Sequence, residues 1–186
     1  MNYRAEIDGL RAIAVVSVIL YHAEIVFFKK DWFEGGFLGV DIFFVISGYL
    51  ITGIILTELK ETNHFNFLNF YERRSRRILP MLLFVITICI PFGWKFLLPI
   101  DLIEFSQSAL SAIAFGSNFF FYFSTTEYGA DSSLLKPLLH TWSLGVEEQF
   151  YLISPIILIL IWKYLQNYLL TIVFGIVLLS IFFANF

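Results

Sequence analysis

Six stretches of the chain are apolar enough and long enough to be read as membrane helices: residues 10–28, 36–56, 78–98, 105–123, 142–162 and 169–186. A hydrocarbon core of about 30 Å takes roughly 20 apolar residues in helical form. The first, third and sixth stretches meet that requirement most cleanly. The second carries Asp41 and several glycines, the fourth is rich in serine and aromatic residues, and the fifth opens on a polar segment. No internal repeat or low-complexity linker separates them. The pattern predicts an all-α, polytopic transmembrane helix bundle with about six helices.

Composition strengthens this picture. Of the 186 residues, 59% are hydrophobic and 15% charged, and the mean hydropathy is +0.80. So few charges cannot screen that much apolar surface from water in a soluble domain of this length. The net charge of −3 says little, because the positions of the charges matter more than their sum. Cys89, the single cysteine, lies in an apolar run and has no partner for an internal disulfide. The first apolar run contains His22 and Glu24 and lacks a small-residue cleavage site, so no cleavable signal peptide is evident. The last residues lie within an apolar run, and the expectation is of a truncated chain.

Orientation follows from basic residues in short loops, which stay on the cytoplasmic side. Lys60, Arg73, Arg74, Arg76 and Arg77 form the densest basic cluster, and Arg4 and Arg11 head the first span. These residues place the N-terminus inside and the 29–35 loop outside. Simple alternation then puts residues 124–141 in the cytoplasm, whereas a re-entrant fourth segment reverses that.

Ionisable side chains inside a bilayer are costly and usually functional. His22 lies in the first span, and Arg11 precedes it by eleven residues. Eleven helical steps nearly complete three turns, so both side chains share one face. The pair fits a path for a charged molecule entering from inside; a histidine hydrogen-bonded to a neighbouring helix is the plainer alternative. Asp41 falls at a similar depth in the second span. A carboxylate there can fix the imidazole tautomer for proton transfer, or simply cap its own helix. Gly35, Gly36, Gly39, Gly48 and Gly53 permit close helix approach or a broken helix. The run from Tyr71 to Pro80, with Arg73, Arg74, Arg76 and Arg77, offers guanidinium forks for the phosphates of a donor such as coenzyme A. The same cluster also serves as a site for anionic lipid or as a topology anchor. In the segment His140–Tyr151, Glu147 and Glu148 point about 100° apart on a helix, so they are suited to different tasks. One of them is a candidate proton acceptor or partner for an arginine, and Ser143, Gln149 and Tyr151 are candidate substrate contacts. An interfacial helix start explains the acidic pair equally well. His140 and these glutamates lack metal-ligand spacing, so no metal is expected. No glycine-rich phosphate loop or serine elbow is present, and the acidic balance argues against nucleic acid.

Four motifs taken in order make the chain resemble the acyltransferase 3 family of integral membrane proteins. They are YRAEIDGLRAIAVVSVILYHA at residues 3–23, GGFLGVDIFFVISGYLITGII at 35–55, FYERRSRRILP at 70–80 and LKPLLHTWSLGVEEQFYLISP at 135–155. The resemblance is closest to the branch that O-acetylates surface polysaccharides. It implies a core of about ten helices, of which residues 1–186 are the N-terminal part of one membrane-embedded domain. It also implies an acyl-CoA (acetyl-CoA) donor bound from the cytoplasm and a glycan or lipopolysaccharide-type acceptor on the other side of a bacterial inner membrane. The family's Arg-x10-His motif falls on Arg11 and His22. Its Arg-x-x-Arg motif falls on Arg73 with Arg76 or on Arg74 with Arg77. His22 is then the catalytic base, with Asp41, Glu147 and Glu148 in support, and the arginines contact the donor. Two other readings stand beside this one: a transporter or lipid-binding membrane protein that uses the same buried charges, and an inactive fragment of a split acyltransferase that needs its missing C-terminal half.

Overall fold

The computed structural model describes residues 4–23, 25–27, 30–31, 33–126 and 136–184. Seven α-helices are formed among them: α1 Ala5–His22, α2 Leu38–Thr62, α3 Phe67–Phe96, α4 Pro99–Ile113, α5 Ser117–Thr126, α6 Thr141–Leu165 and α7 Leu169–Ala184. A two-residue pair, β1 Val26–Phe27 and β2 Lys30–Asp31, runs antiparallel with Val26 opposite Asp31. Three helical stretches are long and apolar enough to cross a membrane: Glu34–Thr62, Phe67–Phe96 and Thr141–Phe183. The last joins the expected fifth and sixth spans through a single 3-10 turn at Gln166–Tyr168. Helices α1 and α7 leave large aliphatic and aromatic side chains exposed along their length, among them Ile13, Ile19, Leu170 and Phe174. Such surface suits lipid rather than water.

The chain divides into two compact units, one of Met1–Phe65 with Tyr151–Phe186 and one of Asn66–Phe150.

In the first unit, α1 and α2 are antiparallel neighbours. Arg4, at the start of α1, donates to the Tyr49 hydroxyl at 2.6 Å and stands over the same ring. At the other end, Tyr21 meets Phe37 edge-on at 5.9 Å. Arg4 also pairs with exposed Glu6 at 2.6 Å. The Glu6 backbone amide and then the Arg4 guanidinium hold that carboxyl below the usual carboxylate range. Between the two ends the helices touch backbone to backbone. A Cβ on Gly36 would lie 2.3 Å from the Ser17 carbonyl oxygen, and one on Gly39 would lie 2.4 Å from that of Ala14. Ala14 is fully buried there. Gly35 and Gly48, by contrast, have open space where a side chain would go. The first helix is shorter than the apolar run: α1 stops at His22, β1 follows within the run, and β2 is made of the charged residues Lys30–Asp31 beyond it.

In the second unit, Asn66 caps α3 by accepting the Asn69 amide at 3.1 Å. Leu82 and Ile86 of α3 pack with Phe105, Ala109 and Ala112 of α4, Phe121 of α5 and Leu138. The expected fourth span, 105–123, is two helices instead of one. Helix α4 ends in a Schellman arrangement, in which Gly116 N–H donates to Ser111 at 2.8 Å and Phe115 N–H to Ala112 at 3.1 Å. Phe115 itself takes the left-handed conformation, φ 55°. The chain then doubles back. The buried Lys136 ammonium bonds both Glu104, ten residues before the break, and Ser124, eight residues after it. The fourth segment is therefore a helical hairpin that returns to the end from which it started.

The glycine contacts yield a paired prediction. Gly39→Ala places a methyl group against an immobile backbone carbonyl and destabilises the protein by about 1–3 kcal/mol, a typical cost of overpacking. Gly48→Ala meets nothing and stabilises α2 by roughly 0.5–1 kcal/mol. Thermal melting of the two detergent-solubilised variants checks the opposite signs.

Candidate active site

His22 is the last residue of α1. Its Nδ1 lies 2.9 Å from the Val18 carbonyl oxygen, one turn back. A carbonyl oxygen only accepts, so Nδ1 carries the hydrogen. In the neutral ring Nε2 is then an unprotonated lone pair, the state a general base requires. The ring is exposed and meets Tyr21 edge-on at 5.2 Å. Val18 is held in turn from α2, because its side chain closes on Gly39, where an added Cβ would lie 2.7 Å from Val18 Cγ2. The backbone turn that orients the imidazole is thus the one against which the second helix packs.

Arg11 lies on the same continuous helix, half-buried, with Asp8 at 3.8 Å. Asp41 stands exposed in the first turn of α2. Among the described residues no hydrogen bond or ion pair joins Asp41 to His22; the tautomer is set by a backbone carbonyl. Tyr151 is buried in this first unit.

The remaining candidates belong to the second unit. The four arginines occupy the exposed first third of α3 and differ in their surroundings. Arg76 pairs with Glu72 at 2.7 Å, one turn back. Arg74 is half-buried over the Phe70 ring at 5.8 Å, while Arg73 and Arg77 are exposed. On α6, Glu148 is only 8% exposed, and its Oε1 has no hydrogen-bond partner. Glu147 and Arg74 are the charges that act on it. A carboxylate so enclosed is costly unless an opposite charge or a bound group compensates it, and Arg74 is the cation within electrostatic reach. Ser143 donates back to the His140 carbonyl at 3.1 Å.

Gln149, expected as a substrate contact, is engaged by the protein itself. Its Nε2 donates to the Phe115 carbonyl at 2.9 Å and to Asn118 Oδ1 at 2.8 Å, and its Oε1 accepts from Asn118 at 3.3 Å. Ser117 donates to the Thr141 carbonyl at 2.7 Å, and Gly145 is the α6 residue that allows this approach, since a Cβ there would lie 3.0 Å from Asn118. The break between α4 and α5 is therefore clamped to the start of α6, beside Glu148. Sequence reading gave no role to Asn118 or Ser117. The Gly116-Ser117-Asn118 run, a break followed by polar helix-starting residues, is the signal that marks them.

Comparison with known proteins decides what these groups belong to. A family model described as an acyltransferase domain, the acyltransferase 3 model, matches residues 4–186. The chain belongs to the acyltransferase 3 family. It is 40% identical over 157 residues to O-acetyltransferase OatA of Staphylococcus aureus strain NCTC 8325, covering 84% of this chain and 25% of the relative. It is 41% identical over 181 residues to peptidoglycan O-acetyltransferase OatA of Listeria monocytogenes, covering 96% of this chain and 28% of the relative. The chain thus spans about a quarter of the length of the curated relatives it matches. No solved structure matches it. Family membership and the three apolar stretches together make this chain a membrane protein.

The clamp yields a prediction for this family member. Gln149→Leu leaves the Phe115 carbonyl without its donor and costs about 1–3 kcal/mol. Amide hydrogen exchange at residues 114–118 rises in that variant, while exchange within α2 does not change.

Proposed function

We propose that this chain is part of a membrane-embedded O-acetyltransferase acting on a cell-wall polysaccharide. The observation that carries the reading is the His22 imidazole, whose Nδ1–H is committed to the Val18 carbonyl so that Nε2 is left as a base on an exposed edge. The names of the relatives, O-acetyltransferase and peptidoglycan O-acetyltransferase, support the reaction and the acceptor class.

In this reading the donor is an acyl thioester, acetyl-CoA, approaching from the cytoplasm. Arg73, Arg74, Arg76 and Arg77 supply guanidinium forks for its phosphates, and Arg11 adds a cation on the His22 face of α1. The acceptor hydroxyl oxygen attacks the thioester carbonyl as its proton passes to His22 Nε2. The C–S bond then breaks, and the thiolate takes the proton from the imidazolium. The new ester stays on the sugar, and His22 returns neutral. Asp41 is the proposed carboxylate in the unit that holds His22, Glu147 and Glu148 are those in the unit that holds the arginine cluster, and Gln149 holds the α4–α5 break in register with Glu148. Ser143 and Tyr151 are the proposed contacts to the acceptor. The N-terminus is cytoplasmic by the distribution of basic residues, and the helical hairpin supports the re-entrant alternative for the fourth segment. The domain is completed by chain beyond the quarter of the relatives' length that is matched here.

His22→Ala in the full-length protein lowers acetyl transfer to the glycan by roughly 10²–10⁴-fold, the usual contribution of a general base, with its amount in the membrane unchanged. Radiolabelled acetyl transfer in isolated membranes measures this. Full transfer in that variant would remove His22 from the chemistry.

A further inference from the structure

A cavity of about 450 Å³ lies in the second unit, between the end of α3, the start of α4, Phe121 of α5 and Lys136. None of the residues assigned above lines it. Its volume falls within the range of small-molecule sites, about 300–1,000 Å³, and its lining is of their usual kind: apolar walls with a few convergent polar groups. We propose that this cavity is a docking subsite for the carbohydrate acceptor, an inference that rests on the acyl-transfer reading.

The polar groups decide the class of ligand. Lys136 is buried, with a side chain 7% exposed. Its ammonium is shared among the Glu104 carboxylate, the Ser124 carbonyl at 3.2 Å and the Ser124 hydroxyl at 3.1 Å. All three of its hydrogens are engaged, so it builds the wall and is not available to grip an anion. The Glu104 carboxylate keeps lone pairs beyond those Lys136 uses. Asp101 sits one turn earlier on the same face of α4 and lines the same space. Among the described residues Asp101 makes no hydrogen bond or ion pair. Two carboxylates against one ammonium leave the lining net negative.

That lining repels the phosphates of a nucleotide donor. It also disfavours a lipid tail, which would strip water from the carboxylates and give them nothing in return. A neutral sugar satisfies both kinds of wall. Its hydroxyls donate to Asp101 and Glu104, and its C–H faces lie against the apolar side chains of Leu97, Phe105 and Phe121. The position agrees. From Arg77 to Leu97, α3 climbs roughly 30 Å at 1.5 Å per residue, about the thickness of the hydrocarbon core. The cavity thus opens a full bilayer away from the basic cluster, on the side where the acceptor is proposed to be. Leu98, 67% exposed, is one of its lining residues.

The test is binding of a β-1,4-linked N-acetylglucosamine tetramer to the purified full-length protein in lipid nanodiscs, measured by calorimetry, with acetyl transfer to the same tetramer followed in parallel. Two variants are compared with the native protein. Asp101→Asn removes the free carboxylate's charge, and Leu98→Trp adds bulk to the lining from an exposed position. Binding by the native protein, weakened about tenfold or more in both variants, is the expected result. Equal affinity in all three proteins, or no binding by the native protein, overturns the subsite. Equal affinity accompanied by acetyl transfer overturns the subsite alone and leaves the reaction standing. Native binding that both variants weaken, with no acetyl transfer to any glycan, keeps the subsite as a sugar site and sinks the reaction.

Discussion

The first unit depends on one close approach: at Gly36, in the 3-10 turn Glu34–Phe37, and at Gly39 of α2, backbone lies against the backbone of α1 with no side chain between them. Lipid supplies no hydrophobic drive to bring two helices together, so their association rests on van der Waals contact and hydrogen bonds. Backbone contact at these glycines gives the first. The Arg4–Tyr49 bond near the other end gives the second. The consequence for chemistry is local. Ala14 and Val18, the residues that Gly39 faces, sit two turns and one turn before His22, and the Val18 carbonyl accepts the imidazole hydrogen bond. A helix end held in this way keeps the ring in one tautomer without a carboxylate.

The second unit solves a different problem. A helix that ends inside a bilayer exposes carbonyls and amides that lipid cannot satisfy. The α4–α5 break meets this with its own Schellman bonds and with side chains from α6, in which Gln149 and Asn118 exchange hydrogen bonds and Ser117 reaches the Thr141 carbonyl. Broken helices of this kind are tolerated in membrane proteins only where protein or a cavity surrounds them, and they recur at binding sites. Here the break lies beside a buried Glu148 that has Arg74 as its counter-charge. Polar groups that fix the hairpin and polar groups suited to chemistry thus occupy the same few turns of α6.

Much of this was legible in the residues. The helical class follows from apolar runs of about 20 residues, the family from four motifs in order, and the shared face of Arg11 and His22 from a spacing close to three full turns. The glycines were singled out, but which of them matter was not readable: Gly36 and Gly39 are set apart from Gly35 and Gly48 only by the neighbour each one faces. The fourth span misled because hydropathy averages over a window and cannot register one left-handed residue. That residue is Phe115, a bulky side chain in a conformation that usually announces itself with glycine, and Gly116 follows it by one position. The end of α1 at His22 was hidden for a similar reason, since the apolar run continues to Phe28 with Glu24 as its one charge. The Lys136–Glu104 pair joins residues 32 positions apart, and no local pattern reports such a contact.

The claim on which the functional account turns is that His22 rests with its hydrogen on Nδ1 and its lone pair on Nε2. Solid-state nitrogen NMR of the histidine-labelled full-length protein in lipid bilayers reads this directly, with the His22 signals identified by their loss in a His22→Gln sample. At a pH where the ring is neutral, the account predicts a protonated Nδ1 coupled to its hydrogen and an unprotonated Nε2. The opposite tautomer, with hydrogen on Nε2 and a bare Nδ1, would contradict it, because the ring would then have no base to offer on its exposed edge.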